Sequence, residues 1–256
     1  AARLIESGEV GSLRMIQAFN YTDFLYRPRR PEELRTEEGG GILFSQAIHQ
    51  IDVVRRLAGG LATRVTAMTG AWDPARPTEG AFSALIAFAN GSFASLTYSG
   101  YAHFDSDVWM DNVGELGQRK DPAAYGKARR ALQGLDAEAE AALKQTRTYG
   151  SGAGLIEAEN NEHFGPVIAL CDRADLRLTP AGLDVFGDIE RRFVEVPFGP
   201  APRGPVIDAL VGAVREDRAP AQTGAWGRAS LEICHAILES AASGQPVDLQ
   251  RQCGIT

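Results

Sequence analysis

The stretch Gly39-Gly-Gly-Ile-Leu-Phe-Ser-Gln-Ala-Ile-His-Gln-Ile-Asp52 decides how the chain around it is organised. Three consecutive glycines predict a tight turn and not a helix interior, because each costs roughly 1 kcal/mol there relative to alanine. Such a turn lets the backbone approach another group closely. The residues that follow have helical period, and Gly59-Gly60 ends it. One side of this predicted helix is apolar and consists of Leu43, Phe44, Ala47, Ile48, Ile51, Val54 and Ala58.

The opposite side of the predicted helix carries a polar stripe of Ser45, His49, Asp52 and Arg56. Two interpretations stay open. The stripe is either a solvated helix face with an incidental His–Asp pair, or a reactive one. In the second case His49 accepts and donates a proton, and Asp52, one turn further on, orients the imidazole or balances its charge.

A loop interrupted by prolines precedes the glycine turn and carries both aromatic residues and arginines. Arginines on loops are commonly just solvated. A guanidinium group also binds a carboxylate through two parallel hydrogen bonds, so the loop suggests an acidic substrate. Its candidate substrate-binding residues are Tyr26, Arg27, Arg29 and Arg30.

The remaining pattern is that of a sheet followed by helices. Two apolar runs joined at Asn90-Gly91 predict a β-hairpin. Residues 105–160 turn acidic and then rich in Ala, Lys, Arg and Glu, which predicts short exposed helices in an insertion, serving as a lid or a subunit contact. Short strands resume at Phe164, and amphipathic helices are predicted over 206–216 and 224–240. Strands that follow one another through tight turns predict an α+β fold, a mixed, largely antiparallel open β-sheet covered on one face by helices.

Composition restricts the classes of function. The 256 residues carry a net charge of −7, which argues against nucleic-acid binding, and they contain no apolar run long enough to span a membrane. Three cysteines without a CxxC pair indicate a reducing compartment, the cytoplasm, and neither a disulfide framework nor a zinc site. No G-x-G-x-x-G turn occurs, so we expect no dinucleotide site within this chain. The sequence opens inside a helical phrase without an initiator Met, as the later part of a longer protein would.

Three segments resemble the second domain of the Gfo/Idh/MocA oxidoreductases. The first is the central glycine run with His49 and Asp52, and the second is Leu4-Ile-Glu-Ser-Gly-Glu-Val-Gly-Ser-Leu13 near the start. The third is the terminal stretch Glu232–Val247 with its Gly-Gln-Pro-Val exit. Within that family, the run Tyr26-Arg-Pro-Arg-Arg-Pro-Glu-Glu-Leu34 is most similar to members that oxidise cis-dihydrodiols of aromatic dicarboxylates, such as 4,5-dihydro-4,5-dihydroxyphthalate.

The resemblance implies a function for the full-length protein, an NAD(P)-dependent dehydrogenase acting on CH–OH or CH–CH donors, with this fragment alone inactive. His49 would lie beside the nicotinamide ring and the reacting hydroxyl, with Asp52 fixing the imidazole. Gln46 would bind substrate, and Gly40 and Gly41 would contact the cofactor, NAD or NADP. A nucleotide-binding domain outside this sequence would hold most of that cofactor, and residues 1–256 would form a substrate-binding and oligomerisation domain. A homo-oligomer, dimer or tetramer, through the open sheet face is also implied.

Two departures from the family's pattern keep alternatives open. Many sugar-oxidising members have Asp where Ser45 stands and Gly where Ala47 stands, so the Asp/His pairing of polyol dehydrogenases is in doubt here. The family's catalytic Lys belongs to the domain outside this sequence. The alternatives are a sugar or inositol dehydrogenase of the same family and a non-catalytic oligomerisation or binding module.

Overall fold

A computed structural model describes residues 1–147, 158–199, 203–216, 219–220 and 222–254 of the chain. Its strands belong to a single open sheet. They are β1 (Leu13–Tyr21), β2 (Ala62–Gly70), β3 (Ala81–Phe88), β4 (Phe93–Ser99), β5 (Val167–Cys171), β6 (Ala174–Thr179), β7 (Gly182–Gly187), β8 (Arg191–Glu195) and β9 (Val247–Asp248).

The sheet has the order β8-β7-β6-β5-β1-β4-β3-β2-β9. The central pair β1–β4 is parallel, with Ala18 opposite Leu96, and every other pair in the described residues is antiparallel. The predicted mixed, largely antiparallel open sheet is therefore confirmed. So is the hairpin at Asn90-Gly91, which joins β3 to β4 in a register that sets Ile86 opposite Ala94. The two-residue strand β9 was not predicted, because an alternating pattern cannot be recognised over so few positions.

The helices are α1 (Ala2–Glu6), α2 (Ile48–Ala58), α3 (Lys127–Leu132), α4 (Ala137–Gln145), α5 (Gly204–Arg215) and α6 (Gly224–Ser243). Of these, α2 and α6 pack on one face of the sheet. The core lies where α2 and α6 meet the sheet, and its fully buried side chains include Ile16, Ile51, Val54, Val65, Ile86, Leu96, Ile233 and Ile237. Alternate residues of β3 and β4 point to the opposite face, which the described helices leave open. No helix among the described residues is long and apolar enough to cross a membrane.

The central helix departs from the single period that the sequence suggested. A π-helical turn spans Leu43–Ala47 and runs directly into α2. A π turn holds one residue more than an α turn, so the two sides of the helix change phase at this point. Phe44 and Ile48, predicted to be apolar core, are therefore only partly buried. Gln50 and Arg55, which the apolar pattern did not include, are 1% and 0% exposed.

The segment 105–160 forms two short helices, α3 and α4, as predicted, and residues 148–157 lie outside the described ones. Its described part is fastened to the domain. Glu140 of α4 is buried and accepts hydrogen bonds from the side chain of Arg76 (2.8 Å) and the backbone N–H of Arg29 (2.8 Å). Arg129 donates to the carbonyl groups of Tyr101 and Ala102. This segment thus packs beside the arginine loop.

Candidate active site

The glycine turn holds the start of the central helix against a buried carboxylate. Gly41 has φ +82°, and a Cβ atom there would overlap the carboxylate of Glu79. Glu79 is 6% exposed and accepts from the backbone N–H of Leu43 (3.2 Å) and from the hydroxyls of Thr78 (3.0 Å) and Thr36. A carboxylate at this position satisfies free N–H groups at the helix start and complements its dipole.

The glycines therefore let the backbone approach other groups of this protein closely. A Cβ atom at Gly40 would lie 2.6 Å from the carbonyl oxygen of Glu32. The two glycines form no open cradle in which a phosphate could rest. The predicted cofactor contact of Gly40 and Gly41 stays a prediction, and their structural task is the one just described.

His49 lies on the exposed side of the helix and stacks on Phe164. The ring centroids are 4.2 Å apart and the planes are 13° from parallel. Among the described residues the imidazole has no hydrogen-bond partner, so both ring nitrogens are free to meet a ligand. Partial burial lowers the pKa of His49, and the charges of Glu115 and Asp52 oppose that shift. A neutral imidazole at neutral pH can accept a proton.

A cavity of about 300 Å³ opens beside this ring pair. Its walls come from α2, from the start of α6 and from Phe164, and they consist of Ile48, His49, Asp52, Val53, Phe164, Gly227 and Ser230. A reacting group placed here would meet the imidazole within a largely apolar surround.

Asp52 has no hydrogen bond to the imidazole among the described residues, so of its two predicted roles only the balancing of charge stays a prediction. Its Oδ1 accepts from the indole N–H of Trp226 and from the hydroxyl of Ser230 (3.3 Å). Arg55 donates to the same hydroxyl (2.8 Å) and lies over the Trp226 ring, 3.9 Å from its centroid. The carboxylate therefore ties α2 to α6, and it acts on His49 only through its charge.

The four candidates of the arginine loop separate into different environments. The hydroxyl of Tyr26 donates a hydrogen bond to the carboxylate of Asp73 (2.8 Å). Arg30 is exposed and lies 3.2 Å from Glu32. Arg27 pairs with two carboxylates, donating to Asp23 (3.2 Å) and to Glu115 (3.0 Å). Burial by itself would lower the pKa of Arg27, but these partners outweigh it and raise that pKa.

Arg29 is the least compensated of the three arginines. It is 8% exposed, its Nη2 donates to the carbonyl of Phe24 (3.0 Å), and its Nε has no partner among the described residues. The guanidinium carbon lies 3.6 Å from the Phe24 ring centroid, and the nearest carboxylate oxygen, on Glu33, is 3.8 Å from Nη1. Burial lowers the pKa of Arg29 to about 10. A buried cation with an uncommitted donor can bind a carboxylate.

Comparison with known proteins identifies the fold family. Residues 1–119 match the GFO/IDH/MocA C-terminal domain. The crystal structure of a protein from Bordetella bronchiseptica RB50, provisionally described as a dehydrogenase, superposes with a TM-score of 0.89 at 42% identity, covering 97% of this chain and 65% of that one. The fold is that of a GFO/IDH/MocA C-terminal domain. Levoglucosan dehydrogenase, solved with NADH and levoglucosan, shares this domain's fold at 19% identity (TM-score 0.64, covering 97% of this chain and 62% of that one).

A relative from Comamonas testosteroni is 44% identical to this chain over 244 residues. It is named 1-carboxy-3-chloro-3,4-dihydroxycyclo hexa-1,5-diene dehydrogenase. The match covers 93% of this chain and 62% of the relative, so the chain spans less than two thirds of that protein's length.

Gln46 lies on the π turn, one turn before His49. Its side chain is half-buried, and its Oε1 is enclosed without a hydrogen-bond partner among the described residues. An unpaired acceptor so close to His49 fits the substrate contact predicted for it. Within the described residues, no group of three or more His, Cys, Asp or Glu side chains is placed to hold a metal ion.

Two residues of the candidate site were not singled out from the sequence. Glu115 is 8% exposed and accepts from Arg27 (3.0 Å), and its charge acts to raise the pKa values of His49, Arg27 and Arg29. Phe164 was noted only as the start of a strand. Neither has a local signal, because each meets its partners through contacts between distant parts of the chain.

Proposed function

We propose that this chain is the substrate-binding part of an NAD(P)-dependent oxidoreductase of the GFO/IDH/MocA family. Its substrate is a cis-dihydrodiol of an aromatic carboxylate, and 4,5-dihydro-4,5-dihydroxyphthalate is the candidate we favour. The observation that carries the proposal is His49, whose imidazole has a lowered pKa, lines an open cavity and has no hydrogen bond among the described residues. The arginine loop of the same chain adds the buried, under-compensated Arg29. The name of the Comamonas relative, a carboxylated cyclohexadiene diol dehydrogenase, supports the same substrate class.

In the proposed reaction His49 accepts the proton of the reacting hydroxyl. The hydrogen on the same carbon leaves as hydride, so the carbinol becomes a carbonyl and two electrons leave the substrate. A nicotinamide ring, when bound, accepts that hydride. The lowered pKa keeps His49 neutral near pH 7, the form that a base needs, and a Lys outside this sequence assists in proton transfer.

The arginine loop holds the carboxylate of the substrate in this proposal. Arg29 contributes the free donor, while Arg27 is already engaged by Asp23 and Glu115 and is the weaker candidate. Gln46 donates to or accepts from a substrate hydroxyl. Tyr26 and Arg30 remain candidates with weaker support, since each is already engaged by an acidic side chain.

The cofactor is NAD or NADP, and its phosphates bind to a nucleotide-binding domain outside this sequence. The enclosed glycine turn supports this division, because it leaves no cradle for a pyrophosphate. What the chain offers is the flat, largely apolar wall of His49, Ile48, Val53 and Phe164, which fits an aromatic ring. The open sheet face supports a further proposal, a homo-oligomer formed through it.

The test uses the full-length protein and the absorbance of reduced nicotinamide. We expect turnover of cis-dihydrodiols of aromatic mono- and dicarboxylates and none of sugars or inositols. His49→Gln should lower kcat by about 10²- to 10⁴-fold, the contribution of a general base, while cofactor binding persists. Turnover of polyols only would discard the substrate class, and full activity of His49→Gln would discard the mechanism.

Arg29→Met and Arg30→Met form a matched pair for the carboxylate. Met replaces a buried arginine without leaving an empty cavity, so the fold should survive. We expect Arg29→Met to raise KM for the carboxylated substrate about ten- to a hundredfold, the loss of a charged hydrogen bond. Arg30→Met should leave KM within about twofold, because its side chain is exposed and paired with glutamates. Equal effects would contradict the assignment.

A further inference from the structure

Phe164 is the only described side chain that contacts the His49 ring face to face, and both rings line the same cavity. Stacked rings 4.2 Å apart and 13° from parallel fix the plane of the imidazole, whose nitrogens have no hydrogen bond among the described residues. An imidazole on an otherwise exposed helix face would rotate freely about its side-chain bonds. Here the phenyl ring is what restricts it.

Phe164 itself is held firmly from both sides. Its carbonyl accepts a hydrogen bond from the side chain of Gln50 (3.1 Å), the residue after His49 on the same helix. The neighbouring His163 ring lies 2.9 Å from the carbonyl of Val113 and accepts from the backbone N–H of Gly165 (3.1 Å). The backbone of Phe164 is therefore tied to the helix that carries His49.

The charged groups around His49 do not account for its lowered pKa. Burial is the largest influence and lowers it, and the cation of Arg203 adds to this in the same direction. The carboxylates of Glu115, Asp52 and Glu162 act the other way. Because Phe164 covers one face of the imidazole, it contributes to the burial that lowers the pKa of His49.

We propose that Phe164 is a positioning residue for His49, fixing the plane of the imidazole and covering one of its faces. The inference deepens the proposed function, because it rests on His49 as the proton acceptor there. Its geometric part stands on the ring contact and is testable without any turnover.

The experiment is an NMR titration of the full-length protein carrying ¹³C at histidine Cε1, with His49→Gln used to assign the His49 signal. We expect the wild-type His49 signal to be shifted upfield by the phenyl ring current and to titrate below 6.5, the ordinary histidine value. Phe164→Leu should abolish the upfield shift while apolar cover keeps the pKa low. Phe164→Ala should abolish the shift and let the pKa rise towards 6.5. Phe164→Tyr, which keeps the ring, should retain both properties.

Two controls separate positioning from collapse of the loop. Phe44→Leu removes the ring beside His235, 5.2 Å away, and should move the His235 signal without affecting His49. The His163 signal should stay unchanged in the Phe164 variants, because its hydrogen bonds do not involve the phenyl ring. An unchanged His49 shift and pKa in Phe164→Ala would overturn the proposal, as would an upfield shift that survives Phe164→Leu.

Turnover provides the separate functional readout. With a substrate identified, we expect Phe164→Leu to lower kcat about ten- to a hundredfold with little change in KM, the cost of a misaligned proton acceptor. A normal kcat in a variant that has lost the ring-current shift would show that stacking does not serve the reaction. Absence of turnover in the wild type would defeat the proposed function and leave the NMR result standing.

Discussion

Substitutions of Asp52 and of His49 should affect activity differently, although the two residues lie one turn apart. Asp52→Asn keeps an oxygen that can accept from Trp226 and Ser230, so the join between α2 and α6 should persist. It removes a charge that raises the pKa of His49, so that pKa should fall further. We expect activity near neutral pH to stay within a few-fold of wild type, whereas His49→Gln loses orders of magnitude.

The pH profile supplies the measurement for Asp52→Asn. A base works when it is neutral, so kcat/KM falls as the pH drops through its folded pKa. Since that pKa is lowered, the acid limb of the wild type should lie below pH 6.5, and the limb of Asp52→Asn should lie lower still. A limb that moves to higher pH, or a collapse of activity at pH 7, would show that Asp52 supports His49 in a way other than by charge.

Gly39 and Gly41 form a second residue-level test, because both have positive φ but different surroundings. Gly39→Ala places its Cβ in open space, so it should cost only the left-handed backbone strain, about 1 kcal/mol. Gly41→Ala must also displace the Glu79 carboxylate and should cost at least about twice as much. Urea denaturation of both variants measures the difference. Equal midpoints would mean that Glu79 moves away without penalty.

At the scale of elements, the spacing of apolar residues along the sequence predicted helices and strands but did not predict the π turn. The pattern in residues 42–58 fits one continuous helix, since an inserted residue shifts the phase of only a few side chains. The N–H of Leu43 is bonded to Glu79, 36 residues away. No local rule predicts such a partner, so the sequence indicated that the glycines approach something closely without indicating what.

Glu79 gives a prediction for the stability of this helix. Glu79→Ala removes the acceptor of the Leu43 N–H and leaves the hydroxyls of Thr36 and Thr78 without their carboxylate. Loss of a helix cap and of buried hydrogen bonds should lower the free energy of unfolding by about 2–3 kcal/mol. Glu79→Gln keeps an acceptor of the same shape and should cost about 1 kcal/mol. A thermal melt in which Ala and Gln behave alike would argue against capping.

At the scale of the whole molecule, the sequence predicted the sheet better than the site. The hairpin and the run of short strands depend on neighbours along the chain, and they formed as expected. The site depends on pairs such as Arg27 and Glu115, 88 residues apart, and on Phe164 folding back over His49. Glu115 also neutralises Arg27, which the sequence had suggested as a substrate-binding residue. Arg29 is therefore a better candidate than Arg27 for binding the substrate carboxylate.

The open sheet face carries the last prediction, the proposed homo-oligomer. Met68, Leu85 and Phe93 stand on adjacent strands of this face and are 77%, 54% and 45% exposed. Large exposed apolar side chains on one sheet face fit a protein–protein interface, and a sheet face can bury enough area for a stable dimer. Leu85→Arg puts a charge at its centre, where burial without a partner would cost several kcal/mol. We expect sedimentation to show a shift of the full-length protein to monomers, while Leu135→Arg, on an exposed turn of the insertion, leaves the assembly intact. An oligomer that persists in Leu85→Arg at micromolar concentration would place the subunit contact elsewhere on the molecule.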